Sequence, residues 1–235
     1  MKPVPAEPMA FRPKGAHDLI GRPAHVAEAL LRKARRLRQS PSSNLRVLLY
    51  GPPGVGKTTI AELVAAELTG GQSLCVEEAN GKMVSAETVR LWMASLAHAG
   101  NLFGDWSVVL VNEVDRASRD AQDLLLSYLD KMPPGRAFLA TSNLDLSALT
   151  DRFQSRFQAI RLEAPATEEI AAFLRARWRI PADLAARIAV GSGGNVRAAL
   201  LDLQTFLDAA DAAPKPTKPN PNRNGERRHA RRSRI

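Results

Sequence analysis

One octapeptide limits what this chain can fold into more than any other feature. Gly51-Pro-Pro-Gly-Val-Gly-Lys57-Thr58 fits the pattern G-x-x-x-x-G-K-[ST]. A short apolar run, Arg46 to Tyr50, precedes it, and a helical pattern from Thr58 to Leu68 follows, closed by Gly70-Gly71. A buried strand, a glycine-rich turn and a helix N-terminus in that order aim backbone N–H groups at one point. The glycines allow the dihedrals that such a turn needs. Lys57 adds a cation that reaches β- and γ-phosphates, and the Thr58 hydroxyl offers an oxygen to Mg²⁺. The candidate nucleotide-binding residues are therefore Gly51, Pro52, Pro53, Gly54, Val55, Gly56, Lys57, Thr58 and Thr59, with ATP and Mg²⁺ as the expected ligand and metal.

Such a site needs an acidic partner. Ser107 to Val111 is the most apolar strand of the chain and leads into Asn112-Glu113-Val114-Asp115. A carboxylate beside the γ-phosphate can polarise the attacking water, and Glu113 is placed for that role. The usual residue before it is an Asp that helps to hold Mg²⁺. This chain has Asn112, whose amide oxygen is a neutral ligand. Nucleotide binding is expected to survive this exchange, and hydrolysis is the step it puts in question.

Around these motifs the pattern alternates. Apolar spacing predicts helices over Arg22 to Arg38, Ser85 to Ala97 (Ser85 and Thr88 as caps) and Ser118 to Asp130, and strands at Leu74 to Val76, Arg136 to Thr141 and Gln158 to Leu162. Strands alternating with helices imply a parallel sheet covered on both faces. After Pro165 only helices follow: Thr167 to Trp178, Ala182 to Val190 and Asn195 to Ala209. The expected division is an N-terminal segment 1–21, an α/β domain 22–164, a helical lid 165–212 and a tail 213–235.

Composition excludes several other classes. No apolar run approaches the roughly 18 residues of a membrane span. Met1 to Ala10 is Pro-rich without an apolar core, so it does not read as a secretory signal. The single cysteine, Cys75, can form neither an internal disulfide nor a four-thiolate zinc site and reads as a buried strand residue. A reducing cytoplasm is the expected compartment. Of the net charge of +9, the tail from Ala213 carries +7, because eight basic residues there face only Glu226. The tail lacks large apolar residues and reads as disordered, with the composition of an arm that neutralises phosphates.

These motifs resemble AAA+ ATPases, and among them the clamp-loader group and the Holliday-junction branch-migration motors, from about Phe11 to Ala209. The resemblance implies a P-loop NTPase fold: a five-stranded parallel α/β sheet with helices on both faces, then a small all-helical lid. Arg12-Pro13-Lys14 with Asp18-Leu-Ile20-Gly21 resembles the segment that closes over adenine, which adds Ile20 and Gly21 to the cofactor-binding residues. Asn80 matches the polar residue that can hold the catalytic Glu inactive. Asn143, at the end of Phe138 to Asn143, matches the first sensor. Ser155-Arg156 resembles the clamp-loader segment that carries an arginine finger, so Arg156 would act on ATP in a neighbouring subunit, with Arg152 as the competing candidate. Gly193-Gly-Asn-Val-Arg197 resembles the second sensor, with Arg197 reaching the phosphates. The resemblance thus implies Glu113, Asn143, Arg156 and Arg197 as catalytic residues and Thr58 and Asn112 at the metal. A zinc module, a collar domain and a winged-helix domain, which relatives carry, have no counterpart in this sequence.

The leading expectation is a homo- or hetero-oligomeric ATPase that acts on DNA in replication, recombination or repair. Asn112 favours a second reading, a nucleotide-gated assembly module with weak or no hydrolysis. A protein remodeller ranks third, because Asn80 to Ser85 is polar apart from Met83 and Val84.

Overall fold

The computed structural model describes residues 7–40, 42–96 and 105–212. The expected disorder of the basic tail, 213–235, and the expected helical position of Ala97 lie outside the described residues.

Five strands form one sheet: β1 (Leu45–Tyr50), β2 (Val76–Asn80), β3 (Ser107–Asn112), β4 (Arg136–Ser142) and β5 (Gln158–Arg161). Their order is β2-β3-β4-β1-β5 and every pair is parallel. All five carboxyl ends therefore lie along one edge, where open α/β sheets carry their ligands. The central strands are apolar on both sides because helices cover both faces. In β1, Val47 and Leu49 pack against α1 (Arg22–Gln39) and α2 (Lys57–Thr69), while Leu48 points the other way. There it meets the core built by α3 (Ala86–Leu96), α4 (Arg119–Asp130) and the short α5 (Asp151–Gln154), including Trp92, Leu125, Phe138 and Phe153.

The second strand departs from the expected position. Leu74 and Cys75 belong to a 3-10 turn, Ser73–Cys75, and the strand starts at Val76. β2 is an edge strand, so it needs no continuous apolar run: Glu77 and Glu78 are exposed, and Val76 and Ala79 are half-buried. Leu74 is 76% exposed, which is why an apolar triplet misleads here. Cys75 is buried as expected, but in the turn. The helix starts are marked by side chains. Ser118 accepts from Ala121 N at 3.2 Å, and Ser85 Oγ accepts from Thr88 N at 3.2 Å.

The helical C-terminal part comprises α6 (Thr167–Trp178), α7 (Ala182–Ser192) and α8 (Val196–Ala212), with its own core of Ile170, Leu174, Leu184, Ala185, Ile188 and Leu203. The N-terminal residues pack on it. Phe11 is buried with its ring centroid 5.7 Å from those of Phe173 and Trp178, and the Arg177 guanidinium lies 4.5 Å from the Phe11 ring centre. Buried Asp18 accepts from Arg177 at 3.1 Å and from the Lys14 N–H at 3.0 Å.

Candidate functional site

The loop between β1 and α2 turns through positive φ at Gly51, Gly54 and Gly56 (136°, 77° and 94°), where a side chain would be strained. Space is limited as well. A Cβ at Gly51 would collide with the Leu162 carbonyl, and one at Gly54 with the Asn195 side chain. Gly56 caps α2, so the helix N-terminus opens onto the loop, and Val55 is buried beneath it. Pro52 and Pro53 face solvent, and Thr59 is half-buried one residue into the first turn.

Lys57 is only 6% exposed. Its ammonium donates to the carbonyls of Gly51 at 2.8 Å and Pro52 at 2.6 Å, so it reaches back across the loop. Burial brings its pKa down to about 8; Asp115 opposes that, Arg197 adds to it, and Glu113 opposes it. The loop lysine is thus within electrostatic reach of both acids and of Arg197 in the helical C-terminal part.

The Thr58 hydroxyl donates to Asn112 Oδ1 at 2.8 Å, which ties the phosphate loop to the end of β3. The same oxygen accepts from Thr141 Oγ1 at 3.2 Å, and Asn112 Nδ2 donates to Glu78 Oε1 at 2.7 Å. Glu113 follows in a left-handed conformation, φ 55° and ψ 51°, with its N–H donating to Thr141 Oγ1 at 3.1 Å. Its carboxylate accepts from Arg116 Nη1 at 3.0 Å and from Asn143 Nδ2 at 3.0 Å. The Arg116 bond above all holds it below the usual carboxylate range; desolvation opposes this, and the Arg116 charge and hydrogen bonding from Asn80 and Asn143 add to the lowering. Glu62, one turn beyond Thr58 on α2, is pushed up by burial and then by Glu78.

Several residues of this edge were not singled out from sequence. Thr141, Glu78 and Arg116 carry no pattern of their own: strand register brings Thr141 and Glu78 to Asn112, and the 3-10 turn after β3 folds Arg116 back onto Glu113. Asn195 is another: its Oδ1 caps α8 by accepting from Ala198 N at 3.0 Å, and the side chain lies over Gly54. Leu19 is a third case, since a Cβ at Gly56 would come to 3.5 Å of its Cδ2. Ile20 beside it is buried, and Gly21, at φ 61°, leaves no room for a Cβ against Glu169. Lys14 and His17 of the same segment line a groove of about 650 Å³ along α1 and α2 that contains no residue of the phosphate loop.

Arg156 stands apart. It makes a two-pronged ion pair with Asp130 at the end of α4, 3.2 Å on each side, and no hydrogen bond or ion pair among the described residues ties it to the loop of its own chain. Arg152 is exposed, and its carbonyl accepts from Arg156 Nη1 at 3.2 Å. On α1, Arg32 pairs with Glu28, and Arg35 and Arg38 pair with Glu67.

The donor set fits Mg²⁺. Thr58 Oγ1 and Asn112 Oδ1 are oxygen ligands of the kind that ion takes, and Asp115 Oδ1 is buried beside them in sequence without a hydrogen-bond partner. Among the described residues no cluster of three His, Cys, Asp or Glu side chains could hold a metal. No described helix is long and apolar enough to cross a membrane.

Residues 47–163 match the AAA family, the ATPase family associated with various cellular activities. Replication factor C subunit 3 of Arabidopsis thaliana is 26% identical over 83% of this chain and 64% of its own length. Replication-associated recombination protein A of Bacillus subtilis is 30% identical over 70% of this chain and 36% of its own. The Holliday junction branch migration complex subunit RuvB of Nocardia farcinica is 34% identical over 49% of this chain and 29% of its own length. The chain therefore spans from under a third to under two thirds of these relatives. Among solved structures, Thermotoga maritima RuvB superposes with a TM-score of 0.65 at 22% identity, covering 84% of this chain and 67% of that one, a likeness of fold. With the loop, the acidic strand end and the strand order in place, the chain belongs to the AAA family of ATPases, related to the replication factor C, RarA and RuvB proteins.

Proposed function

We propose that the chain binds ATP with Mg²⁺ at subunit interfaces, hydrolyses it, and acts on DNA in replication, recombination or repair. The observation that carries the reading is the 2.8 Å contact between Thr58 and Asn112, which joins the phosphate loop to the acidic strand end. Backbone N–H groups of Gly54, Val55, Gly56 and Lys57 and the Lys57 ammonium would take the phosphates. Thr58 and Asn112 would hold the metal, which when bound neutralises charge on the phosphate oxygens. Glu113 would accept hydrogen from the attacking water once Arg116 and Asn143 let it turn. Arg197 would come in from the lid, and Arg156, leaving Asp130, from the next subunit. The DNA part is supported by what the relatives' names say of those proteins. The division into segment 1–21, domain 22–164, lid 165–212 and tail 213–235 belongs to the same proposal.

Steady-state ATP hydrolysis tests it, with and without single-stranded, duplex and primed DNA, and with Glu113→Gln and Arg156→Ala. Turnover is expected to rise with DNA and to fall by about 10²-fold or more in Glu113→Gln. The neutral Asn112 and the clamped Glu113 favour a second reading, an assembly module gated by nucleotide. Tight ATP binding without turnover under every condition would select it.

A further inference from the structure

Both ends of the Asn112 amide are engaged: Oδ1 accepts from Thr58 at 2.8 Å and from Thr141 at 3.2 Å, and Nδ2 donates to Glu78 Oε1 at 2.7 Å. Glu78 lies on the edge strand β2, two residues before Asn80, which faces Asn112 in the register. An amide can turn over by 180° with little change of shape, exchanging an acceptor for two donors. A carboxylate can only accept, so Glu78 draws the amide nitrogen to itself and leaves the oxygen facing Thr58. This direction matters for a cation. A Thr58 hydroxyl that gives its hydrogen to Asn112 keeps its lone pairs free, whereas a reversed amide would occupy one of them and turn N–H hydrogens toward the metal.

We propose that Glu78 is a positioning residue for the metal half of the phosphate site, acting through Asn112. It fixes the amide with its oxygen inward, toward Thr58. The assignment rests on the ATP–Mg²⁺ reading above. It differs from a general effect of acidic charge. Glu62 is within electrostatic reach of Glu78, and a through-space field of such carboxylates would act whatever residue stood at 112. Orientation of an amide matters only while 112 is an amide.

The test is a double-mutant cycle read by binding rather than turnover. A fluorescent ADP is titrated into the full chain in EDTA, and the Mg²⁺ midpoint for tightening that complex is then measured. The four proteins are the native chain, Glu78→Gln, Asn112→Asp and the double variant. Glu78→Gln is expected to raise the Mg²⁺ midpoint by about tenfold in the native background, the scale of an outer partner of a metal ligand. Its ADP affinity in EDTA should stay within about twofold, which also reports that the variant is folded. In the Asn112→Asp background the same change should leave the midpoint within about twofold, because a carboxylate has no wrong way round. A Glu78→Gln effect of equal size in both backgrounds, or none in the native one, overturns the assignment while ADP binding in EDTA keeps the nucleotide reading intact. A native chain that binds no nucleotide with or without Mg²⁺ overturns both.

Discussion

Lys57 is the residue whose chemistry depends most on its surroundings. In the free chain burial brings its pKa down to about 8, so the ammonium is intact at neutral pH and is lost as pH rises through that value. A bound phosphate favours the charged form, so binding must take up a proton above pH 8. The Kd for ATP is therefore expected to rise by up to about tenfold per pH unit between pH 8 and 10 and to stay flat below 7. Titrations of a fluorescent ATP analogue across that range, with calorimetry in buffers of different ionisation enthalpy, would show the proton; a flat profile to pH 9.5 would refute it. At this scale the sequence was informative about one half of the site. Gly51 to Thr58 and Glu113 declare themselves because each has a fixed spacing from its own strand. Glu78 and Thr141 do not, because they meet Asn112 across strands that are far apart in sequence, and Arg116 does not, because its contact depends on the local turn after Glu113.

Among the elements, the alternation of strand and helix was readable because β1, β3 and β4 are covered on both faces and so carry apolar runs along their middles. The edge strand was misplaced for the converse reason: exposure releases β2 from that requirement, and its Glu77-Glu78 pair disguises it. The attachment of the N-terminal segment was equally hidden, since Phe11 and Asp18 find their partners on α6 more than 150 residues later. That attachment has a measurable strength. Phe11 is 7% exposed among Phe173, Trp178 and Arg177, and its truncation should cost about 3 kcal/mol. Urea unfolding of Phe11→Ala would check this; a loss under about 1 kcal/mol would mean the segment is not held by that ring.

For the whole molecule, the placement of Arg156 decides between one chain acting alone and several acting together. It pairs with Asp130 and with no residue of its own phosphate loop among the described residues, and the proposed catalytic role has it act on a neighbouring subunit. Glu113→Gln and Arg156→Ala proteins, each inactive alone, are expected to regain about a quarter of native turnover when mixed, because that fraction of interfaces is then intact on both sides. Recovery of nothing on mixing would assign both residues to one subunit's site or to no catalysis. A last consequence follows from the seat of α8. Asn195, at its head, rests over Gly54, and halfway along it Gln204 accepts from the Met9 N–H at 3.5 Å. The helix is a rigid rod, and Gln204 sits about 12 Å from its first residue. Anything that settles on Gly54 and displaces Asn195 tips that rod about its head, and a tilt of about 5° carries Gln204 through about 1 Å. The chain thus holds a lever that starts at the loop and carries the N-terminal segment partway along it.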